Sequence, residues 1–177
     1  MMATPRFAYG YAELALVAED VRRNRASGDP QLVDQGKLTA EAAALRLRVS
    51  TAIAVDWKHY AARTLPPIDA TTDAEKVASL QAAIKGTAAR RDQARQAIVS
   101  EWGERFFVRS RPQLWALVDA HDPTTARVRP YLHWESYTAA LEAMLWWQTR
   151  SGTESIGFLT RINIEWRAEH PPHSEAA

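Results

Sequence analysis

Apolar residues recur at helical spacing along most of this chain, and the clearest case is the stretch 131–147. On a helical wheel of about 100° per residue, its large apolar side chains fall on one face at three- and four-residue intervals. The members of this stripe are Trp134, Tyr137, Leu141, Met144 and Leu145. The pattern predicts a central helix near 133–150 that buries Leu141, Met144 and Leu145.

Trp146 falls roughly opposite that stripe, on the face that carries Glu135 and Glu142. Two hypotheses follow for it. The favoured one is that Trp146 packs in a second layer of the core, covered by the C-terminal segment. The alternative is that it is an interface anchor, since tryptophan is enriched at binding hot spots.

The first third of the chain predicts two helices, near 10–26 and 39–63. Ser27-Gly28-Asp29-Pro30 is typical of a helix end, and 31–35 predicts a separate single turn. Thr39 is suited to cap the second helix, whose predicted core positions include Leu45, Val49 and Ile53. A connection this short predicts an antiparallel helical hairpin.

The remaining segments also favour helices. Pro66-Pro67 indicates a linker, and the next helix is predicted over 73–107, although its apolar stripe lapses through 86–96. A short helix is expected over 112–120, followed by a basic loop over 124–130. The segment 154–166 fits a helix or an alternating strand, and helix is favoured because no other strand is available to pair with it. The tail from Ala168 is expected to be disordered.

Together these elements predict an all-α fold, a single-domain irregular bundle of five to six helices. The organisation expected is an N-terminal hairpin (1–66), a helical region with a Trp-rich core (67–168) and a disordered tail (169–177). A chain of 177 residues can bury a core without staples, and the absence of cysteine excludes disulfides and thiol nucleophiles. No apolar run reaches the roughly 18 residues of a membrane span, and no leader pattern is present, so a cytoplasmic location without membrane contact is expected.

The net charge of +1 hides a basic stretch over residues 85–111. Its cationic side chains are Lys85, Arg90, Arg91, Arg95, Arg105, Arg109 and Arg111. Several cations on one face could bind phosphate of a nucleic acid or of a complex that contains one. The other interpretation is a solvated helix face, which is favoured because a general DNA-coating domain would be markedly basic.

Motifs for catalysis are lacking in the sequence. It contains no Gly-rich phosphate loop, nucleophile elbow or zinc-binding helix motif. His121-Asp122 resembles the paired ligand of metal-dependent phosphohydrolases, but the dipeptide also suits a helix end before Pro123. The further ligands such a site needs could come only from Asp56, His59, Asp119 and His133. We therefore predict no catalytic residue, no metal and no cofactor.

The run 21–53 resembles a helical hairpin of small phage and prophage proteins of α-proteobacteria whose function is unknown. Those proteins join an Arg-rich helix end to an amphipathic helix through a connector of the form LVxxGKLTxEA. The matching residues here are Arg22, Arg23, Arg25, Leu32, Val33, Gly36, Lys37, Leu38, Thr39, Glu41 and Ala42. Asp29 departs from the pattern, since the position before Pro30 is often Tyr. The resemblance implies a mobile-element origin and no particular chemistry.

The sequence therefore predicts a non-enzymatic helical interaction protein of phage or mobile-element type. Its expected partner is a host protein or a protein–nucleic-acid complex, such as a nucleic-acid-processing or defence machine that it inhibits or assists. The first alternative is a direct nucleic-acid binder that uses residues 85–111. The second is an enzyme whose site is dispersed along the chain.

Overall fold

A computed structural model describes residues 3–121 and 125–170, and this part of the chain is all-α, without a strand. The predicted fold class is confirmed. The six α-helices are α1 (Tyr11–Asp34), α2 (Ala40–Ala61), α3 (Asp73–Trp102), α4 (Arg111–Asp119), α5 (Thr125–Gln148) and α6 (Ile156–Glu169). Two short 3₁₀ turns, Glu104–Val108 and Gly152–Glu154, follow α3 and α5.

Helices α1 and α2 form the predicted N-terminal hairpin. The Thr39 side chain accepts a hydrogen bond from the Ala42 backbone N–H, which satisfies one of the unpaired donors at the start of α2. Gly36 closes the connection with φ of 66°, a left-handed conformation that glycine adopts without strain. The two helices therefore pack against each other along most of their length.

The predicted end of α1 at Ser27–Pro30 is wrong, because the helix continues to Asp34 and absorbs the predicted separate turn over 31–35. A proline inside a helix removes one backbone hydrogen bond at a cost of about 3 kcal/mol or more. Tertiary contacts offset that cost here. Arg25 and Asp29 lie on the buried side of this last part of α1, and both contact α2.

Helices α3 and α5 form a second, antiparallel pair. Gln148 at the end of α5 donates to Asp73 at the start of α3, and Arg127 near the start of α5 pairs with Glu101 near the end of α3. A capping box of Thr72 and Glu75 begins α3. The predicted extension of α3 to 107 is wrong because Gly103, with φ of 74°, ends the helix before a 3₁₀ turn.

The basic loop predicted over 124–130 is also wrong, since α5 begins at Thr125 and passes through Pro130. Val128 and Leu132, one turn apart, are both fully buried, and this packing favours helix on either side of the proline. Thr124 lies outside the described residues.

The helix predicted near 154–166 is confirmed as α6, which begins after Ser155 and reaches Glu169. The Ser155 side chain accepts from the Phe158 backbone N–H and caps the helix. Ala168 and Glu169 are therefore helical, contrary to the disordered tail expected from 168. The rest of the predicted tail, 171–177, lies outside the described residues.

Apolar side chains gather in two cores along the α3–α5 pair. The first core joins this pair to the N-terminal hairpin, and its largest members are Leu14, Val49, Ile53, Trp57, Leu80, Leu141, Met144, Trp147 and Ile156. The second core lies at the other end of the pair, under α4, and comprises Ile98, Phe106, Leu114, Val118, Val128 and Leu132. The first core therefore contains residues from both predicted parts of the chain, the hairpin (1–66) and the helical region (67–168).

The predicted core positions are mostly correct. Val49, Ile53, Leu141 and Met144 are buried, and Leu145 is half-buried against the first core. Leu45 is the exception, since 47% of its surface is exposed. Its position on α2 faces a gap between the two helix pairs, where no neighbouring helix covers it.

None of the described helices combines the length and the apolar character that a membrane span requires.

Candidate interhelical cleft

The gap beside Leu45 opens into a cleft of about 840 Å³ between the two helix pairs. Its walls come from the second half of α1, the first half of α2, the first two-thirds of α3 and the middle of α5. The two pairs meet through the first core and separate beyond it, so the cleft continues outward from that core.

The walls of the cleft are largely apolar. Val21 and Leu32 on α1, Val49 on α2 and the aromatic residues Trp134 and Tyr137 on α5 supply the larger side chains. The α3 wall is formed by small residues, which leave the space open: Ala78, Ser79, Ala82, Ala83 and Gly86. A concave apolar surface with a few polar groups is the usual character of a binding site.

Arg25 is the buried cation of this cleft, with only 8% of its surface exposed. Its Nη1 donates to the Arg46 carbonyl on α2 (3.0 Å) and to Ser79 Oγ on α3 (2.8 Å), so the side chain connects three helices. Both acceptors are neutral. Burial, and then the nearby Arg46 guanidinium, lower the pKa of Arg25, and the opposing charge of Asp29 does not offset them.

The acidic residues of the cleft are already engaged. Asp29 forms an ion pair with Arg46 at 3.1 Å, and Glu75 forms one with Arg48 at 2.5 Å. The third, Asp20, accepts hydrogen bonds from the Tyr137 hydroxyl and the Asn24 amide, each at 2.9 Å.

The Tyr137–Asp20 bond has a consequence for the cleft wall. Burial of the phenol, and then the hydrogen bond to Asp20, raise the pKa of Tyr137 well above its ordinary value. The Tyr137 phenol is therefore neutral at physiological pH, and it lines the cleft as a hydrogen-bonded side chain rather than as an acid or a base.

Arg90 stands at the far end of the cleft from Arg25. Its guanidinium lies 4.7 Å from the centre of the Trp134 ring, a cation–π contact, and it forms no ion pair with a described carboxylate. His133 neighbours it on the rim and packs edge-on against Trp134, with ring centres 4.7 Å apart. Two arginines, Arg25 and Arg90, thus face one apolar cleft without a paired carboxylate in the described part of the chain.

The structure does not gather the predicted basic stretch into a single cationic face. Arg91 pairs with Asp92, Arg95 pairs with Glu104 and Arg111 pairs with Glu135, at 2.9, 2.5 and 3.3 Å. Arg109 lies over the Phe106 ring, and only Arg90 of the seven lines the cleft.

Two exposed members of the basic stretch, Lys85 and Arg105, form neither an ion pair nor a cation–π contact within residues 3–121 and 125–170. Lys85 lies on α3, whereas Arg105 follows the break at Gly103 in the 3₁₀ turn. The break therefore separates the two cations that have no internal partner. A phosphate-binding role for the stretch stays a prediction.

Trp146 is half-buried against the first core. Its ring lies 4.7 Å from that of Trp147, edge to face, and the guanidinium of Arg150 covers it at 3.7 Å. Its indole N–H is enclosed and has no hydrogen-bond acceptor among the described residues. Arg150 provides this cover, whereas Trp166 of the C-terminal segment stacks on His170. The interface-anchor hypothesis for Trp146 stays a prediction.

The candidate metal ligands are dispersed. Asp56 is buried in an ion pair with Lys76, the His59 ring nitrogen Nδ1 hydrogen-bonds to Thr64, and His133 lies on the cleft rim. Asp122, the second half of the His121-Asp122 pair, lies outside the described residues. Within those residues, no group of three or more carboxylates and histidines is placed to hold a metal ion.

Sequence reasoning missed Arg25 as a site residue, although a pattern could have found it. Leu14, Ala18 and Val21 continue to Arg25 and Asp29 at three- and four-residue spacings, so both charges occupy positions of the apolar stripe. A charge at such a position must be paired or must face a polar cavity. A helix end at Ser27–Pro30 would cut the stripe before Asp29 and leave Arg25 in the last turn, where an exposed cation suits the helix dipole.

No protein-family model, no curated protein and no solved structure matches this chain. The likeness of residues 21–53 to phage and prophage hairpins consequently stays a prediction.

Proposed function

We propose that this chain is a non-enzymatic helical interaction protein of phage or mobile-element type, and that it binds a helical segment of a protein partner in the cleft. The observation that carries the proposal is the open cleft of about 840 Å³, with apolar walls and with Arg25 and Arg90 lacking carboxylate partners among the described residues. The resemblance of residues 21–53 supports the mobile-element origin.

The shape of the cleft favours a helix over other ligands. Helices form all of its walls, and the described part of the chain offers no strand edge to which an extended peptide could add. A small molecule needs most of its surface enclosed, whereas this cleft is open along Leu45, which stays 47% exposed. An amphipathic helix that lies between α1 and α3 can cover the apolar walls and leave its polar face in water.

The test is a selection from a display library of helical peptides, made with the parent protein and two variants. Ala82→Trp fills the cleft from the α3 wall, and Ala89→Trp places the same side chain on an exposed position of α3 outside the cleft. Peptides enriched on the parent should bind Ala82→Trp at least about tenfold more weakly, since a loss of 1.4 kcal/mol is tenfold. They should bind Ala89→Trp as they bind the parent.

Enriched peptides should also present apolar residues at i, i+4 and i+7, the spacing of one helix face. Peptides that bind both tryptophan variants equally would place the binding surface elsewhere. A selection that enriches no peptide would remove the helix-binding proposal.

The nucleic-acid alternative keeps one supporting observation, the exposed Lys85 and Arg105. If residues 85–111 bind phosphate, joint replacement of Arg90, Arg91 and Arg95 by Gln should reduce the salt dependence of DNA or RNA binding. The expected reduction is close to one unit of log–log slope for each lost contact. Folding should change little, because exposed ion pairs contribute about 1 kcal/mol or less. A parent protein that binds neither nucleic acid at low salt would exclude this alternative.

A further inference from the structure

Arg25 has hydrogen-bond donors that the described part of the chain leaves without an acceptor. A guanidinium carries five N–H donors, and the two on Nη1 are satisfied by the Arg46 carbonyl and Ser79 Oγ. Nε and Nη2 have no acceptor within the described residues, yet neither is among the enclosed atoms that lack a hydrogen bond. These atoms therefore remain accessible. Arg25 lines two spaces, the cleft and an inner cavity of about 10 Å³, and only the cleft has room for a ligand.

A buried charge in this state requires an explanation. Taking a cation out of water is costly unless an anion compensates for it. The neighbouring Asp29 acts on Arg25 through its charge but pairs with Arg46, so no carboxylate of the described residues binds the free donors of Arg25. The Nε and Nη2 donors of arginine form the fork that matches the two oxygens of a carboxylate.

We propose that the cleft-facing donors of Arg25 form a carboxylate-binding site, so that the helix received by the cleft is an acidic one. The inference rests on the proposed function, because it gives the chemistry of the partner that the cleft binds. Apolar residues of the partner would cover Val49 and Leu32, while an Asp or Glu on the same face would reach Arg25.

Arg90 is a second cation in the cleft that an acidic partner could contact. Arg25 bonds to α3 at Ser79, eleven positions before Arg90, and at 1.5 Å per residue this corresponds to about 16 Å along α3. A partner helix that runs parallel or antiparallel to α3 can therefore meet both arginines with acidic residues roughly three turns apart. Arg90 is exposed and forms no ion pair with a described carboxylate, so its guanidinium is available for this contact.

The carboxylate site can be tested without the partner. The probe is naphthylacetate, which joins an aromatic ring to a carboxylate, and the matched ligand is its neutral amide. In the parent protein, NMR of the arginine side chains should show the Arg25 Nε–H signal shifting on addition of the acid and not of the amide. The acid should bind about tenfold more tightly or better, as expected for a charge-assisted pair.

Two variants complete the experiment. Arg25→Met should remove the preference for the acid, whereas Arg23→Met, which changes an exposed arginine on the same helix, should keep it. Arg25→Met could also unfold the chain because Arg25 connects three helices, but the Arg25 signal of the parent gives the answer independently of any variant. Inorganic phosphate, added alone, shows whether the site takes other oxyanions. A response as large as that to the acid would overturn the carboxylate assignment.

Equal binding of acid and amide would overturn the role of Arg25 and leave an apolar cleft that can still bind a helix. Absence of binding by either ligand at about 10 mM, where even millimolar affinity is detectable, would overturn the carboxylate site. Failure of the peptide selection, by contrast, would remove the helix-binding function itself. The carboxylate site and the helix-binding function can therefore be rejected independently of each other.

Discussion

Trp147→Ala is expected to lower the free energy of unfolding by about 3–5 kcal/mol, the range for truncating a buried aromatic side chain. Trp147 is 3% exposed, and its ring packs edge-on against Tyr9, Tyr11 and Trp146. Its indole N–H donates to the Ala8 carbonyl at 2.5 Å, so the substitution also leaves a buried acceptor unpaired. Truncation at this position thus removes both packing and a hydrogen bond.

Thermal melting measures the effect and should show a decrease of about 6–20 °C, since each kcal/mol corresponds to about 2–4 °C in a domain of this size. The matched control is Trp166→Ala on α6, where the same side chain is 57% exposed. That change should cost no more than about 0.5 kcal/mol. Equal losses in the two variants would contradict the burial pattern of the tryptophans.

Much of this fold was predictable because its helices carry regular apolar stripes. The stripe of Leu141 and Met144 and that of Val49 and Ile53 correctly identified the buried faces of α5 and α2. The helix ends were predictable only where the cap acts locally, as Thr39 does. Pro30 and Pro130 are helix breakers by local propensity, but burial of neighbouring side chains overrides that propensity in both places.

The cleft was not predictable, because it depends on how far apart two helix pairs stand. A stripe indicates that a face is apolar, but it does not indicate whether a neighbour covers every position of that face. Leu45 shows the difference, since it continues the stripe of α2 into the open cleft. The ion pairs of the basic stretch could not be predicted for a related reason. Arg95 reaches Glu104 because the chain turns at Gly103, and Arg111 reaches Glu135 on another helix, so neither pair can be inferred from helical spacing.

The ion pair of Lys76 and Asp56 is a second feature that stripe reasoning missed. Both residues are buried, Nζ lies 2.7 Å from Asp56 Oδ2, and Asp69 is the next carboxylate at 3.6 Å. Lys76→Met should cost about 3–5 kcal/mol at neutral pH, because it leaves a buried carboxylate without its cation. The exposed pair of Arg48 and Glu75 provides the control, and Arg48→Met should cost about 1 kcal/mol or less.

The cost of Lys76→Met should arise mainly from the charge left on Asp56 rather than from lost packing. The double variant Asp56→Leu/Lys76→Met replaces the pair by apolar side chains and should recover most of the lost stability, as such replacements are often neutral. Chemical denaturation of the two single variants and the double variant gives the coupling free energy. A double variant as unstable as Lys76→Met alone would show that packing, not charge, determines the loss.

The stability lost in Lys76→Met should decrease as the pH falls. Burial raises the pKa of Asp56 above its ordinary 3.8 even with Lys76 present, and the nearby Asp69 and Asp73 act in the same direction. Without the ammonium group, the folded-state pKa should rise further, so folding favours the protonated carboxyl. The stability deficit of Lys76→Met relative to the parent should therefore be full above that raised pKa. It should shrink as the pH falls towards 3.8, and denaturation at about pH 5 and pH 8 measures the difference. A deficit that stays constant or widens on acidification would show that Asp56 is not the uncompensated charge.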